Sequence, residues 1–205
     1  MIVIKLEQFQ FFLRVFLLGA KLRFFKPFSP ILPSICHDYS TKYKKTQIFQ
    51  IRYNIPMTIL SIDSGIERTG YAIFRDKKYV TSALIKTSKE KSTEIRLEEI
   101  YSKLKEVFKK YQPDVMVLEQ LLFFRNQKTF IRVAQAQGIV MLLAAQNKIK
   151  VEFLTPLQIK QIVTGYGQAD KLAVQKMIRL TTGIVLTQDD KADAVACGLA
   201  YIYLH

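Results

Sequence analysis

The chain has 205 residues, enough for one domain with a substantial hydrophobic core and an additional extension. Hydrophobic residues make up 49% of it, which excludes a disordered composition. The formal net charge of +14 suggests a polyanionic partner, either a nucleic acid or an anionic membrane surface. The two cysteines, Cys36 and Cys197, lack the spacing of a metal site and predict no disulfide, so we expect a reducing, cytoplasmic compartment.

Residues 1–56 differ in character from the rest of the chain. The apolar run from Phe9 to Ala20 is interrupted by Arg14 and is shorter than the ~20 residues that span a membrane. The region Pro27–Pro33 predicts loop. We therefore expect an N-terminal extension that is disordered or not part of the native protein, with the working domain starting at Met57. A membrane or organelle address is the alternative.

From Met57 onward the hydrophobic pattern is regular, and the first half predicts a meander followed by a helix. Strands are predicted at about 58–63, 70–76 and 79–87, with a polar hairpin turn at Asp76-Lys77-Lys78. A helix is predicted over 92–111, and its apolar side carries Ile95, Ile100, Leu104, Val107 and Phe108.

The second half alternates strands and helices. Val115 to Leu118 is apolar on both faces, which predicts a central strand ending in Glu119. The remaining predicted elements are a helix over 126–147, a strand over 151–154, and helices over 156–163, 170–181 and 189–203. This order predicts an α/β domain over residues 57–205, with a five-stranded mixed sheet covered by helices on both faces.

Four acidic residues stand out by position. Asp63 ends the first strand and Glu119 ends the central strand, whereas Asp190 and Asp193 lie three apart on one face of the last helix. A simpler interpretation is that an acid in a first helical turn caps the helix, which accounts for Asp189 and could account for Asp190. An acid at a strand end is often only a turn former or half of a salt bridge.

The four positions are more informative together. If Asp63 and Glu119 end adjacent parallel strands and the last helix packs across that edge, four carboxylates converge. Their repulsion and desolvation would be costly without cations, and Mg²⁺ prefers oxygen ligands. Two such ions ~4 Å apart can activate water and stabilise a leaving oxygen in phosphodiester hydrolysis. A basic protein with an acidic metal pocket is the make-up expected of a nuclease.

At these residues the chain resembles the RuvC family of Holliday-junction resolvases, within the RNase H-like superfamily. The segments that carry the resemblance are ILSIDSGIERTGYAIF, DVMVLEQ, AQAQGIVMLLAAQ, LTPLQIKQIVTGYGQADK and DDKADAVACGLAYIY. The resemblance implies a homodimer that makes paired symmetric nicks in four-way DNA junctions during recombination and repair. It also implies two Mg²⁺ ions per subunit, replaceable by Mn²⁺, and a branch-migration motor partner of the RuvA-RuvB type.

The family's functional residues map onto named positions of this chain. Its catalytic and metal-binding acids map onto Asp63, Glu119, Asp190 and Asp193, and its DNA-contacting lysines onto Lys160 and Lys171. We expect Asp63 to bridge both ions and Asp190 to hold the ion that carries the attacking water. Glu119 and Asp193 are expected to hold the ion near the leaving oxygen or to shape the pocket.

The chain departs from the family pattern at two places. Ser64 stands where the family commonly has proline, which should alter turn rigidity more than chemistry. The aromatic residue that follows Glu119 is displaced by one position, so Phe123 is predicted to stack on an unpaired base. The alternatives are that Phe124 does so, or that Phe123 has a core or dimer-contact role. Arg125 and Lys128 could follow a phosphate backbone or simply form the wet face of their helix.

Three other functions keep some of these features. An RNase H-fold nuclease of the ribosomal-RNA processing type would retain the acids without paired nicking. A non-catalytic junction-binding protein would retain the basic surface. A nucleotide-binding domain of the actin or hexokinase type would share the Asp63-x-Gly65 turn, but it needs a second Asp-x-Gly loop that is not evident after residue 119.

Overall fold

The computed structural model of the chain describes residues 57–121 and 127–205, and in them the elements follow the predicted order. The strands are β1 (Thr58–Asp63), β2 (Arg68–Arg75), β3 (Lys78–Lys86), β4 (Val115–Glu119) and β5 (Lys150–Leu154). The helices are α1 (Thr93–Tyr111), α2 (Gln127–Gln146), α3 (Pro156–Thr164), α4 (Lys171–Thr182) and α5 (Asp189–Leu204). The predicted extension, residues 1–56, lies outside the described residues.

The five strands form one mixed sheet in the order β3-β2-β1-β4-β5, which confirms the predicted fold class. Strand β1 is antiparallel to β2 and parallel to β4, and β5 is parallel to β4. The central position of β1 explains its continuous apolar run, because both faces of the strand are covered. The β2–β3 connection is the predicted polar turn, in which Asp76 and Lys77 have φ of 52° and 63°, as a type I′ hairpin turn requires.

Alternate side chains of β1 pack into two separate hydrophobic cores, one on each face of the sheet. Ile59 packs with α3, α4 and α5 on one face of the sheet. Leu60 and Ile62 pack with α1 and α2 on the other face. Asp63 has the parity of Ile59, so the strand pleat directs it to the α5 side.

One residue of α1 was assigned to the wrong side by the sequence pattern. Ile95 was predicted in the core but is 45% exposed, whereas Arg96 is only 6% exposed. Residue 96 lies one helical turn before Ile100, so it falls on the buried side although its side chain is charged. The Arg96 Nε donates a hydrogen bond to Thr87 Oγ1 at 2.9 Å, which compensates part of the cost of burial.

Helix α5 lies unusually close to the sheet because its inner face is built from small residues. A Cβ at Gly198 would lie 2.2 Å from a ring carbon of Phe74 and 2.7 Å from the Ser61 hydroxyl oxygen. Ser61 Oγ donates to the Ala194 carbonyl oxygen at 2.7 Å and so ties the helix to β1. Cys197 is buried in this interface as a free thiol, as predicted.

No helix in residues 57–121 and 127–205 is both long enough and apolar enough to cross a membrane.

Candidate active site

Two of the predicted acids stand side by side at one edge of the sheet. The register pairs Ile62 with Leu118 in parallel strands, so Asp63 and Glu119 are the next residues along β1 and β4. Gln137 of α2 is buried and its Nε2 donates to the Glu119 carbonyl oxygen at 2.9 Å, which fixes the end of β4. The parallel pairing predicted for these strands therefore brings the two carboxylates together.

The close approach of α5 brings the other two acids to the same place. Gly70 is the register partner of Asp63 on β2. A Cβ at Gly70 would lie 2.0 Å from the Asp190 carbonyl oxygen, so only a residue without a side chain lets the first turn of α5 lie there. Asp190 therefore stands beside Asp63, and Asp193 follows on the next turn of α5.

The loop after Asp63 is held by side-chain hydrogen bonds from neighbouring strands. Thr69 Oγ1 donates to the Gly65 carbonyl oxygen at 2.6 Å, and Thr87 Oγ1 donates to the carbonyl oxygen of Ile66. Ser64 is the exception. Its Oγ is buried and has no hydrogen-bond partner in the described part of the chain.

Burial and mutual repulsion shift the protonation of the cluster. The pKa of Asp63 is raised to about 8, first by burial and then by the charges of Asp193, Glu119 and Asp190. Burial, followed by the charge of Asp193, raises the pKa of Glu119 to about 7. The pKa of Asp193 is also raised, mainly by burial. The cations near the cluster therefore compensate its carboxylates only in part at neutral pH.

The donor atoms of this cluster suit a hard divalent cation, but their positions are not those of a finished coordination shell. Carboxylate oxygens are the ligands that Mg²⁺ prefers, and a cation would relieve the repulsion that raises these pKa values. Within residues 57–121 and 127–205, however, no three His, Cys, Asp or Glu side chains are close enough to hold an ion as they stand. Asp190 is instead paired with Arg68, whose Nε lies 3.0 Å from Asp190 Oδ2. Sharing one ion would require these side chains to draw together.

A cavity of about 200 Å³ adjoins the acids and brings two predicted DNA contacts to them. Glu119 and Asp193 line it together with Lys160 and Lys171. Both lysines act electrostatically on Asp193 and lower its pKa against the effect of burial. Positive charge for a phosphate and carboxylates for a cation thus meet in one cavity.

Asp189 was predicted to be a capping charge, and it does lie in the first turn of α5, but it is not the N-cap residue. The N-cap residue is Gln188, whose side chain makes no capping hydrogen bond. The Asp189 carboxylate instead accepts a hydrogen bond from Lys171 Nζ at 3.0 Å, and this bond raises the pKa of Lys171. Asp189 lies on the cavity wall, where a cation from α4 is within reach.

Three of the predicted DNA contacts are not described by the structure. Phe123, with its alternative Phe124, and Arg125 lie outside the described residues. Lys128 belongs to α2, but its side chain also lies outside them. Their roles stay predictions.

Sequence reasoning missed several residues that build the site. Arg68 pairs with Asp190, Gly70 admits α5, and Ser61 and Gln137 secure α5 and β4. The signal for Gly70 was its place opposite Asp63, which is visible only once the register of β1 and β2 is known. No local pattern marks the other three residues.

Comparison with known proteins agrees with this architecture. The family model "Crossover junction endodeoxyribonuclease RuvC" matches residues 59–201. The protein of that name from Caldicellulosiruptor saccharolyticus is 39% identical over 153 residues, which cover 71% of this chain and 92% of that protein. The one from Brachyspira hyodysenteriae is 42% identical over 149 residues, which cover 71% of this chain and 93% of that protein.

A solved structure is similar along the same region. Thermus thermophilus RuvC in complex with a Holliday junction substrate superposes with a TM-score of 0.68 at 25% identity. The match covers 72% of this chain and 94% of the Thermus chain. The family model and the relatives together support one conclusion: this chain belongs to the RuvC family of crossover junction endodeoxyribonucleases.

Proposed function

We propose that this protein resolves four-way DNA junctions by hydrolysing one phosphodiester bond in each of two opposed strands, in DNA recombination and repair. The observation that carries the proposal is the carboxylate cluster beside a lysine-lined cavity, at the end of the central strand. Membership of the RuvC family supports it, because a crossover junction is the substrate in the family's name.

The four acids would hold the metal ions of the reaction. In this proposal Asp63 would serve both Mg²⁺ ions and Asp190 would hold one of them. Glu119 and Asp193 would hold the other or shape the pocket, and Mn²⁺ could substitute. Bound ions of this kind lower the pKa of water and stabilise charge on a leaving oxygen. Asp63 and Glu119, with pKa values raised to about 8 and about 7, would ionise fully once positive charge balances them.

Cationic side chains would position the DNA. Lys160 and Lys171 line the cavity beside the acids and would bind the phosphates that flank the cleaved bond. Arg125 and Lys128 would extend this contact along the backbone, and Phe123 would stack on an unpaired base. The net charge of +7 on residues 57–205, from 22 Lys and Arg against 15 Asp and Glu, would add attraction for the junction as a whole.

Paired nicking needs two sites, so we propose that the protein acts as a homodimer. The described residues form one acid cluster, and a second copy would supply the site for the opposed strand. The nuclease domain is proposed to comprise residues 57–205, without a contribution from residues 1–56. A branch-migration motor partner and a cytoplasmic location complete the proposal.

The test is a cleavage assay on matched substrates. The full chain is incubated with a four-way junction, a linear duplex of the same arm sequences and an RNA duplex, each with Mg²⁺ or with EDTA. We expect symmetric nicks in the junction alone, and only with Mg²⁺. Equal cutting of linear DNA or RNA would contradict the proposal and favour a nuclease of the RNA-processing type.

A substitution at Asp63 separates cutting from binding. Asp63→Asn removes a charge without a change of size, so the variant should bind junctions and not cut them. Asp76→Asn is the matched control, because Asp76 lies in the β2–β3 turn and asparagine suits its positive φ. If Asp63→Asn cuts as well as the control, Asp63 is not part of the active site.

A further inference from the structure

Arg68 places a permanent positive charge on one of the four clustered acids. It is the first residue of β2, and its Nε lies 3.0 Å from Asp190 Oδ2. The Arg68 side chain is 56% exposed, whereas that of Asp190 is 19% exposed. The pair therefore reaches from the solvent into the edge of the acid cluster.

The backbone geometry explains why these two residues meet. Arg68 and Gly70 are two apart on β2, so they share one face of the strand. Gly70 is the residue against which the backbone of Asp190 lies. A side chain on the same face, one step along the strand, is therefore directed over the first turn of α5.

We propose that Arg68 is an exchangeable counter-ion, which neutralises Asp190 in the free protein and transfers to a DNA phosphate when a divalent cation occupies the acid cluster. The competition of Arg68 with a cation is inferred from its contact with Asp190. The transfer of Arg68 to a DNA phosphate rests on the proposed function.

Three physical properties favour the exchange. A guanidinium stays protonated at every working pH, so it cannot lower its repulsion toward an incoming cation by losing a proton. It binds phosphate as readily as carboxylate, with the same planar set of donors. A side chain that is 56% exposed is free to rotate toward solvent, the side from which DNA approaches. Arg68 therefore competes with the cation before DNA binds and assists DNA binding afterwards.

The first measurement is cation binding without DNA. Mg²⁺ is titrated calorimetrically into the full chain, Arg68→Gln and Arg75→Gln. Arg75 is the matched control, because it ends the same strand, roughly 23 Å away at ~3.3 Å per residue. We expect Arg68→Gln to bind Mg²⁺ about two- to fivefold more tightly, as the loss of an exposed ion pair predicts, and Arg75→Gln to match the wild type.

The second measurement is junction binding without cutting. Ca²⁺ takes the same oxygen ligands, so binding is measured in Ca²⁺ over a series of salt concentrations, after a gel has shown that the junction stays intact. We expect Arg68→Gln to bind more weakly. The slope of log affinity against log salt should fall by about 0.9 for each lost phosphate contact.

Tighter Mg²⁺ binding and weaker junction binding by Arg68→Gln together identify the exchange. Unchanged or weaker Mg²⁺ binding by Arg68→Gln overturns the proposal, and weaker binding would make Arg68 a residue that positions Asp190 for the cation. Unchanged junction binding overturns the transfer to DNA. The Mg²⁺ titration does not depend on the proposed function, whereas a wild-type chain that neither binds nor cuts junctions would refute that function alone. Melting curves of both variants verify that they are folded.

Discussion

The two faces of the central sheet pack helices in different ways. On the α5 face, small residues such as Ala194 and Gly198 bring a helix backbone almost onto the strands. On the opposite face, α1 and α2 are held off by large aliphatic side chains such as Leu104, Met116 and Leu143. The contrast shows that packing on the α5 face fixes the position of a helix, whereas packing on the opposite face mainly buries apolar surface.

Position matters on the α5 face because it carries the acids. Asp190 reaches Asp63 only because Gly70 leaves room for the helix backbone, and Ser61 holds the helix there. The α1 and α2 face contributes Gln137 to the end of β4, but otherwise it supplies apolar burial. Substitutions on the two faces should therefore separate activity from stability.

The largest expected effect is that of Gly70→Ala. The new Cβ would overlap the Asp190 carbonyl oxygen, so the first turn of α5 must move away from Asp63. We expect junction cutting to fall to background, although the fold persists by circular dichroism. The control is Gly138→Ala in α2, where a Cβ would meet nothing within 4 Å and cutting should be unchanged. Full activity of Gly70→Ala would show that the close approach is dispensable.

A substitution on the α1 and α2 face should lower stability and leave activity unchanged. Leu104→Ala removes a fully buried side chain, and we expect the free energy of unfolding to fall by about 2–5 kcal/mol in urea titrations. Cutting well below the melting temperature should stay close to wild type, because Leu104 belongs to the core on the face of the sheet opposite α5. Ile95→Ala serves as control, since Ile95 is exposed and should cost less than about 0.5 kcal/mol. A Leu104→Ala protein that is stable but inactive would contradict the expectation that this face contributes to stability and not to activity.

The acid cluster should also make stability depend on pH. The folded-state pKa values of Asp63 and Glu119 are raised to about 8 and about 7, so between pH 4 and pH 8 the folded state binds more protons than the unfolded state. In EDTA, the melting temperature should therefore fall by several degrees as pH rises through this window and level off above it. Mg²⁺ should restore stability at pH 8 more than at pH 5. Asp63→Asn should flatten the profile, and an unchanged slope would contradict these pKa values.

The smallest effect is expected at Ser64. Its buried hydroxyl has no partner in the described residues, so Ser64→Ala should raise the free energy of unfolding by about 1 kcal/mol. Ser61→Ala on the same segment should do the opposite by a similar amount, because it removes the bond to the Ala194 carbonyl. Thermal melts measure both changes. Destabilisation by Ser64→Ala would mean that the hydroxyl has a partner after all.

Much of the fold was predictable from local patterns. Every strand and helix bound described here lies within two residues of its prediction, because hydrophobic period and turn residues act over a few positions. The strand-end positions of Asp63 and Glu119 and the spacing of Asp190 and Asp193 were visible for the same reason. The error at Ile95 and Arg96 arose where residue type and helical position disagreed.

The sequence by itself determined the order of the elements, the mixed sheet and the identity of the four acids. Only the tertiary structure decided which charges meet: Arg68 with Asp190, and Lys171 with Asp189. It also decided how near α5 lies to the sheet, through Gly70 and Gly198. The physical reason is that such contacts join residues over 100 positions apart in the chain or on separate elements, where packing and register, and no local pattern, set the distance.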